Sequence, residues 1–334
     1  MPKKDQPDKI NNLKLKSKKS ISINTLAINA LIIFGMGVWL SISSPYFFTA
    51  RNFNTVLTQI AIVGVLSIGQ LFVIITGGID LSVGMVAQLV NVILTILVVS
   101  GTPIPLAIAI SLIVGICVGL INGILIYELG MPPFITTLGS MTVANGVSLL
   151  LTKGTNISGL PLSFANFGSS SFLGLPNLFW FFVCAIVIGG IILRFTKFGK
   201  YIYAIGSNVE TVRLSGIDVR KVVYGVYAFS GLLAGIAGIM LTFRLWMGVP
   251  TCGINLNLDS IAAAALGGAS LFGAQGSAIG VFLGAMIIAI IKNGSVLLNI
   301  NPFWQQVIIG ILIVLTVALD QIRAKGKYSF IRKF

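Results

Sequence analysis

Residues Thr76–Gly84 read TGGIDLSVG and interrupt an apolar chain with two glycines and one acid, Asp80. From Ile60 to Ile126, Asp80 is the only charged residue. A charge at a helix centre in a membrane costs roughly 2.5–3.5 kcal/mol, and such residues survive facing protein, a water-filled path or a helix end. The glycines allow the backbone to break or to approach another helix closely. Two compatible readings follow. Asp80 caps a helix starting near Leu81, or its charge helps to set the state of a path or gate that includes Gly77, Gly78, Ser82 and Gly84.

Outward from this break the chain stays apolar. Of 334 residues, 56% are hydrophobic and only 9% charged, with a mean hydropathy of +1.01. Soluble domains carry about 25% charged residues, so the composition is that of an integral membrane protein. There is no histidine, which removes the commonest general base and metal ligand. Cys117, Cys184 and Cys252 are isolated, a spacing that implies neither a disulfide framework nor a metal cluster. No catalytic constellation emerges.

Eighteen of the 22 basic residues fall in three tracts: seven in the first 19 residues, six from Arg194 to Lys221, and five from Arg323 onward. Loops retained in the cytoplasm show this pattern, which accounts for the net charge of +14 without nucleic acid. The leading basic segment lacks a small-residue cleavage site and reads as a retained tail. At about 20 apolar residues per crossing, ten spans are expected: 22–42, 55–76, 84–100, 104–127, 134–152, 177–195, 222–242, 257–272, 277–298 and 303–319. The eighth is short and rich in Ala and Gly. The result is an all-α polytopic protein with a transmembrane domain at 21–320, basic tails at 1–20 and 321–334, and both termini cytoplasmic. The loop 196–221 is then cytoplasmic, and Arg51, Lys153, Arg244 and Lys292 lie at or near the outer side.

Gly231, Gly235 and Gly238 share one helical face, which suits close helix packing. Gly77-Gly78-Ile79-Asp80-Leu81 is echoed by Gly267-Gly268-Ala269-Ser270-Leu271, a weak sign of duplication, and Gly267 and Gly268 join the candidate gate. Asp259 or Asn257 is expected to cap the eighth span. Glu128 reads as an interfacial charge beside a Pro-Pro turn. Gln88, Asn91, Asn122, Asn145 and Trp246 are candidates for the path lining, or for polar glue between helices. Arg213 or Lys221 is the charge partner expected for Asp80, because the second span ends on their side.

In the 194–221 stretch, Ser207 or Asn208 can cap a short helix over Val209–Leu214, ended by Gly216. That helix presents Val209, Val212 and Leu214 beside Glu210 and Arg213. It suits docking into a partner's groove or lying on lipid headgroups.

Glu210-Thr211-Val212 followed by Gly216 has the spacing of the Glu-Ala-Ala…Gly loop of ABC importer permeases. The chain resembles the monosaccharide (ribose, xylose, arabinose and galactose) branch of that family from about Ser44 to Asp320. TGGIDLSVG (76–84), MPPFITTLGSM (131–141), YAIGSN (203–208), RLSGI (213–217), YAFSGLLAGIAG (227–238) and LDSIAAAALGGASLFGAQGS (258–277) carry the resemblance, in matching order. It departs at Thr211 and Val212, where small alanines are common, and at Phe272 and Ala274, in a usually glycine-rich stretch. The resemblance implies the permease fold, a second permease copy (identical or a close paralogue), cytoplasmic ATP-binding subunits and an extracytoplasmic sugar-binding protein. It also implies a small sugar such as ribose as substrate, and a bacterial inner or plasma membrane. Ser207, Asn208, Glu210, Arg213, Leu214 and Gly216 become the coupling-loop residues. The chain has no GxxxxGK[ST] phosphate loop, so no cofactor is expected in it, and ATP with Mg is expected in the partner. The competing class is an ion-coupled secondary sugar transporter. Such proteins usually place several acids in mid-membrane, and after Asp80 the remaining acids lie near span ends or in loops.

Overall fold

A computed structural model describes residues 7–331, with side chains described for 25–318 and 321. The side chains of the two basic tails, apart from Gln321, lie outside the described residues. The elements in order are α1 (Pro7–Ser43), α2 (Ala50–Ile75), α3 (Val83–Val99), α4 (Ile104–Glu128), α5 (Pro133–Thr152), α6 (Leu162–Ser169), the strands β1 (Ser171–Phe172) and β2 (Leu175–Pro176), α7 (Asn177–Phe195), α8 (Lys197–Ser207), α9 (Val209–Leu214), α10 (Val219–Leu245), α11 (Leu256–Leu266), α12 (Ala278–Leu297) and α13 (Pro302–Ile331). The strands form one antiparallel hairpin.

Among the described residues, seven helices are long and apolar enough to cross a membrane: α2, α4, α5, α7, α10, α12 and the Thr25–Ser43 part of α1. Three shorter apolar helices, α3, α11 and Pro302–Ala318 of α13, occupy the other expected spans. All ten expected spans therefore coincide with apolar helices, and the chain is a multi-pass membrane protein. The eighth differs from expectation. Its helix stops at Leu266 after 11 residues, about 16 Å at 1.5 Å per residue, short of a core of about 30 Å. The segment 246–277 is thus irregular backbone, a short helix and irregular backbone.

α2 forms the centre: 18 of its 26 residues are buried, and α7, α10, α11 and α12 pack around it. α10 is the second hub, in contact with α2, α3 and α4. Lipid tails are as apolar as leucine, so this association depends on close packing. A Cβ at Gly119 of α4 would lie 2.2 Å from Tyr227 O, and one at Gly231 of α10 would lie 2.2 Å from Gly115 O. Gly231 and Gly235 meet α4 while Gly238 meets α3, so the glycine face seen in the sequence is the contact face.

Gly119→Ala is expected to destabilise the protein by about 1–3 kcal/mol through overpacking. Gly139→Ala, at a position with nothing within 4 Å, is expected to be neutral or stabilising, because alanine is the better helix former. Thermal unfolding of the two purified variants checks the contrast.

Candidate functional site

Two places in the bundle break the helical backbone at depth, and polar side chains close both. The first is the 76–82 connection between α2 and α3. Gly78 N donates to Val73 O (3.1 Å) and Gly77 N to Ile74 O (2.9 Å), with Gly77 at φ 85°. This ends α2 in the left-handed turn that glycine favours. Beyond it, Ser82 N (2.9 Å) and Ser82 Oγ (2.6 Å) donate to Asp80 Oδ1, and Ser230 Oγ of α10 donates to Asp80 Oδ2 (2.9 Å). Oriented so that donors meet acceptors, Gln70 spans Asp80's own backbone, donating to its carbonyl (3.0 Å) and accepting from its N–H (3.1 Å). Thr137 Oγ1 of α5 donates to Ile79 O (3.1 Å).

Asp80 is 1% exposed. Its oxygens therefore meet only donors within the protein, and neither expected cation reaches it. Arg213 pairs with Glu210 (3.3 Å) and Lys221 with Asp218 (3.1 Å). The physical reason is burial: three hydrogen bonds serve the carboxylate where a long basic side chain would have to be desolvated as well. The helix cap is indirect too. Ser82 occupies the N-cap position without a capping side-chain bond, and Asp80 instead holds Ser82 N–H. The polar chain continues through Asn122 Nδ2, which donates to Ser82 Oγ (3.1 Å), and Ser140 Oγ, which donates to Asn122 Oδ1. One network therefore ties α4, α5 and α10 to the first break.

The second break is the irregular stretch 246–255 before α11. Asn91 of α3 donates to Met247 O (3.0 Å) and accepts from Val249 N (2.8 Å), while Gln88 accepts from Gly253 N (3.1 Å). The same side chains reach Thr242 (2.9 Å) and Asn145 (3.0 Å). Gln88, Asn91, Asn122 and Asn145 thus all make hydrogen bonds between elements. Trp246 Nε1 donates to Leu160 O (2.9 Å), tying the stretch to the α5–α6 connection. Gly84, in the first turn of α3, lies against the backbone of Gly253.

α11 departs from expectation at its start. Its N-cap is Asn255, without a side-chain cap bond. Asn257 instead donates to Met141 Sδ (3.5 Å), and Asp259 pairs with Lys292 of α12. The carboxylate of Asp259 is almost wholly buried, so a neighbouring ammonium stabilises it better than a helix end would. At the other end, Gly268 N donates to Ala265 O (2.9 Å) and Ala269 N to Ala264 O (3.0 Å), with Gly268 at φ 89°. The turn has the hydrogen bonding of the one after α2, but positive φ falls on the second glycine of this pair and the first of the other. The echo is therefore offset by one residue from the alignment of the two GG strings. Gly267 lies against Gly280 of α12.

The 196–221 loop folds as α8 and α9. Asn208, rather than Ser207, caps α9, with Oδ1 accepting from Thr211 N (3.0 Å), and Ser207 is the last residue of α8. Gly216, at φ 76°, ends α9 as expected. Val209, Glu210, Arg213 and Leu214 are exposed, whereas Val212 packs inward and leaves the presented face. Asp218 caps α10, accepting from Lys221 N (3.3 Å), and its bonds to Lys221 hold its carboxyl below the usual range. Glu128 pairs with Arg220 (2.6 Å). α8 enters the bundle: a Cβ at Gly206 would lie 1.8 Å from Ile75 O and 2.6 Å from Ala274 N. Ala274 N itself donates to Ile75 O (2.8 Å), and Tyr203 OH donates to Gly276 O (2.8 Å). The end of α8, the end of α2 and the turn after α11 meet at one point.

Sequence reasoning missed Gln70, Thr137, Ser140, Ser230 and the Asp259–Lys292 pair. Polar residues within apolar spans were the available signal, but it names no partners.

Residues 52–317 match the family described as branched-chain amino acid transport system / permease component. The chain is similar to the ribose import permease protein RbsC of Bacillus subtilis, 42% identical over 86% of this chain and 90% of that protein. It is similar to the Haemophilus influenzae ribose import permease protein at 36% identity, over 84% and 88% of the two chains. The D-allose transport system permease protein AlsC of Escherichia coli is 34% identical over 90% and 92%. No solved structure matches the chain. With identity above 30% over more than four fifths of each chain, and a family match covering most of the bundle, this protein belongs to the branched-chain amino acid transport system permease family.

Proposed function

We propose that the chain is the membrane-spanning permease of an ATP-binding-cassette importer that carries a small sugar into the cytoplasm. ATP, with Mg, is hydrolysed in a separate cytoplasmic subunit, a second permease copy completes the pore, and an extracytoplasmic binding protein delivers the sugar. Both termini and the 196–221 loop face the cytoplasm. The single observation that carries the mechanism is the seating of α8 against both the end of α2 and the turn after α11. The similarity to ribose and D-allose permeases supports the substrate class.

The presented face of α9, with Val209, Glu210, Arg213 and Leu214, docks into the ATPase. Closure of the ATPase pair moves α9 and, through α8, the packed junction at Ile75 and Ala274. Close-packed backbone transmits such displacement rather than absorbing it. The two glycine turns, with Gly77, Gly78, Gly267 and Gly268, form the gate region. Hydrogen-bonded networks around Asp80, Ser82 and Asn122, and around Gln88, Asn91 and Asn145, hold the crossings whose tilting opens the path to either side.

Uptake of labelled D-ribose, D-allose, L-arabinose and D-fructose, in cells with and without this permease, tests the reading. Accumulation of one of them that depends on the permease is expected. Uptake of none of them, or uptake that persists without the ATPase, refutes it. Asn208→Cys is expected to be labelled only from the cytoplasmic side, and Ser171→Cys only from outside.

Glu210→Arg and Gly216→Pro are expected to lower both uptake and co-purification of the ATPase about tenfold, the scale of an interface hot spot. Proline cannot adopt the positive φ of Gly216. Normal co-purification and uptake in both variants would remove the docking role.

Asp80→Ala leaves three buried donors without an acceptor, at about 1–3 kcal/mol each, and is expected to lower the unfolding temperature and abolish uptake. Asp80→Asn keeps one acceptor oxygen, and is expected to cost about 1 kcal/mol and retain most uptake. Equal damage by Asn and Ala would show that the charge, rather than the hydrogen-bonded shape, is required.

A further inference from the structure

The apolar stripe along α7 is left exposed. Cys184, Val187, Ile188, Ile191 and Phe195 follow the i, i+3, i+4, i+7 and i+11 spacing of a single helical face. Helices that pack together in a membrane do so through small residues, and the two glycines of α7 point elsewhere: Gly189 lies against Ile68 and Gly190 faces Ala278. The stripe of large side chains therefore faces lipid. With 19 residues, α7 is about 28 Å long at 1.5 Å per residue, close to the roughly 30 Å of a hydrocarbon core. Trp180, one turn before Cys184, continues the stripe to the level where hydrocarbon meets headgroups.

The β1–β2 hairpin folds onto this end of the stripe. Phe172 meets the Trp180 ring edge-on with centroids 6.0 Å apart, and Trp180 Nε1 donates to Phe172 O (3.1 Å). Phe167, Phe172, Asn177, Trp180 and Phe181 line an open groove of about 460 Å³. Its side-chain donors are already turned inward, since Asn177 Nδ2 donates to Ser170 Oγ (2.7 Å) and Phe167 O (3.2 Å). The groove thus offers aromatic surface and little else. At the hairpin tip, Leu173 and Gly174 form a two-residue turn at φ 53° and 78°. Such a turn favours Asn or Gly, yet a leucine takes its first position at 75% exposure. An apolar side chain held out at a conformational cost, beside an exposed Phe172, calls for an apolar medium.

Residues 154–193 contain no charged side chain, so nothing here steers or selects a charged partner. Aromatic residues, tryptophan above all, are what membranes enrich at this level. We propose that the groove is a phospholipid site, in which the upper part of one acyl chain lies across Phe181, Trp180 and Phe172 while Leu173 anchors the hairpin in the same leaflet. The chain is recognised rather than the headgroup charge. Ser171 alternates with Phe172 across the hairpin and stays on the water side. Phe167 carries the contact inward, its ring 4.6 Å from that of Phe243 in α10, so the lipid steadies one end of a central helix. The site is independent of the sugar-import reading; only its place in the outer leaflet follows from the proposed topology.

The unaltered permease, with the subunits that co-purify with it, is reconstituted in phosphatidylethanolamine–phosphatidylglycerol vesicles. A trace of phospholipid carries an aryl diazirine high on one acyl chain, or deep on it in a parallel sample. After illumination, adducts on this chain are located by mass spectrometry. The high probe is expected to mark 172–181 severalfold more than the deep probe, which marks 187–191. Yields at 172–181 are expected to be unchanged by the phosphatidylglycerol fraction and by added binding protein. Leu173→Asp suits the left-handed turn but puts a charge on the tip. It is expected to lower adducts at 172–181 severalfold and leave those at 187–191 unchanged. Adducts at 187–191 with none at 172–181 would overturn the site. Loss of the 172–181 adducts on adding binding protein would give the groove to that protein. Disulfide-linked dimers formed by Leu173→Cys but not by the unaltered chain would give it to a second copy, and either result overturns the lipid assignment. A yield that rises with phosphatidylglycerol would overturn recognition by the acyl chain alone. The measurement on the unaltered protein decides even if Leu173→Asp fails to fold.

Discussion

The bundle depends on one constraint: a backbone N–H or C=O at membrane depth must find a partner inside the protein, because lipid offers none. An unbroken helix meets the constraint by itself. This chain breaks the helical ladder at 76–82 and again on both sides of α11. The breaks are closed by amides and hydroxyls from adjoining helices and, at the first, by the carboxylate of Asp80 within the break itself. Gln70, Asp80 and Thr137 serve the first, and Gln88 and Asn91 the second. Asn29 of α1 does the same for the end of α11, donating to Leu266 O (2.7 Å). The polar residues of the spans are therefore largely the counterpart of irregular backbone, and they decide which helices must be neighbours.

Where the breaks lie matters as much as their closure. The end of α2 and the α11–α12 connection share a point of contact with α8, through Ala274 N–H on Ile75 O and through the missing side chain of Gly206. Side chains at this junction would act as compressible spacers. Direct backbone contact has no such slack, so displacement of α8 must be taken up by the end of α2 and the α11–α12 connection together. The loop outside the bundle and the irregular segments inside it form one mechanical unit without a long-range wire of side chains.

Much of this was legible in the sequence, and what was not shares a physical cause. Hydropathy located the ten apolar helices, since each must present about 20 residues of low polarity or be shielded by others. The α9 boundaries followed from Asn208 and Gly216, whose cap chemistry is local. Asp80 stood out as a lone charge in an apolar stretch. Its partners did not, because Ser230 is 150 residues away and Gln70 acts on the backbone. A nearest-charge argument suggested Arg213 or Lys221 and failed, since local acids already hold both. Asp259 looked like a cap because caps are local, but its partner Lys292 lies 33 residues away on another helix. The offset between the two glycine turns was equally hidden, as nothing in GGIDL or GGASL states which glycine takes positive φ.

The two buried acids mark opposite solutions to one problem. Asp259 is compensated by charge: its ion pair with Lys292 fixes α11 to α12, and separating the partners would strand a buried charge at a cost of about 3–5 kcal/mol. Asp80 is compensated by hydrogen bonds alone, from a backbone N–H and two serine hydroxyls. Hydroxyls can rotate to a new acceptor, so a hydrogen bond to the carboxylate, worth about 1.5–3 kcal/mol net, can be exchanged for another within the network. The first break can therefore shift against α4 and α10 by exchanging partners within the Ser140–Asn122–Ser82–Asp80–Ser230 chain. The short helix of the second crossing is locked to α12 and must move with it as one body. On the proposed importer reading, alternating exposure is a rocking of α11 and α12 as a pair against α2 while the Asp80 network yields.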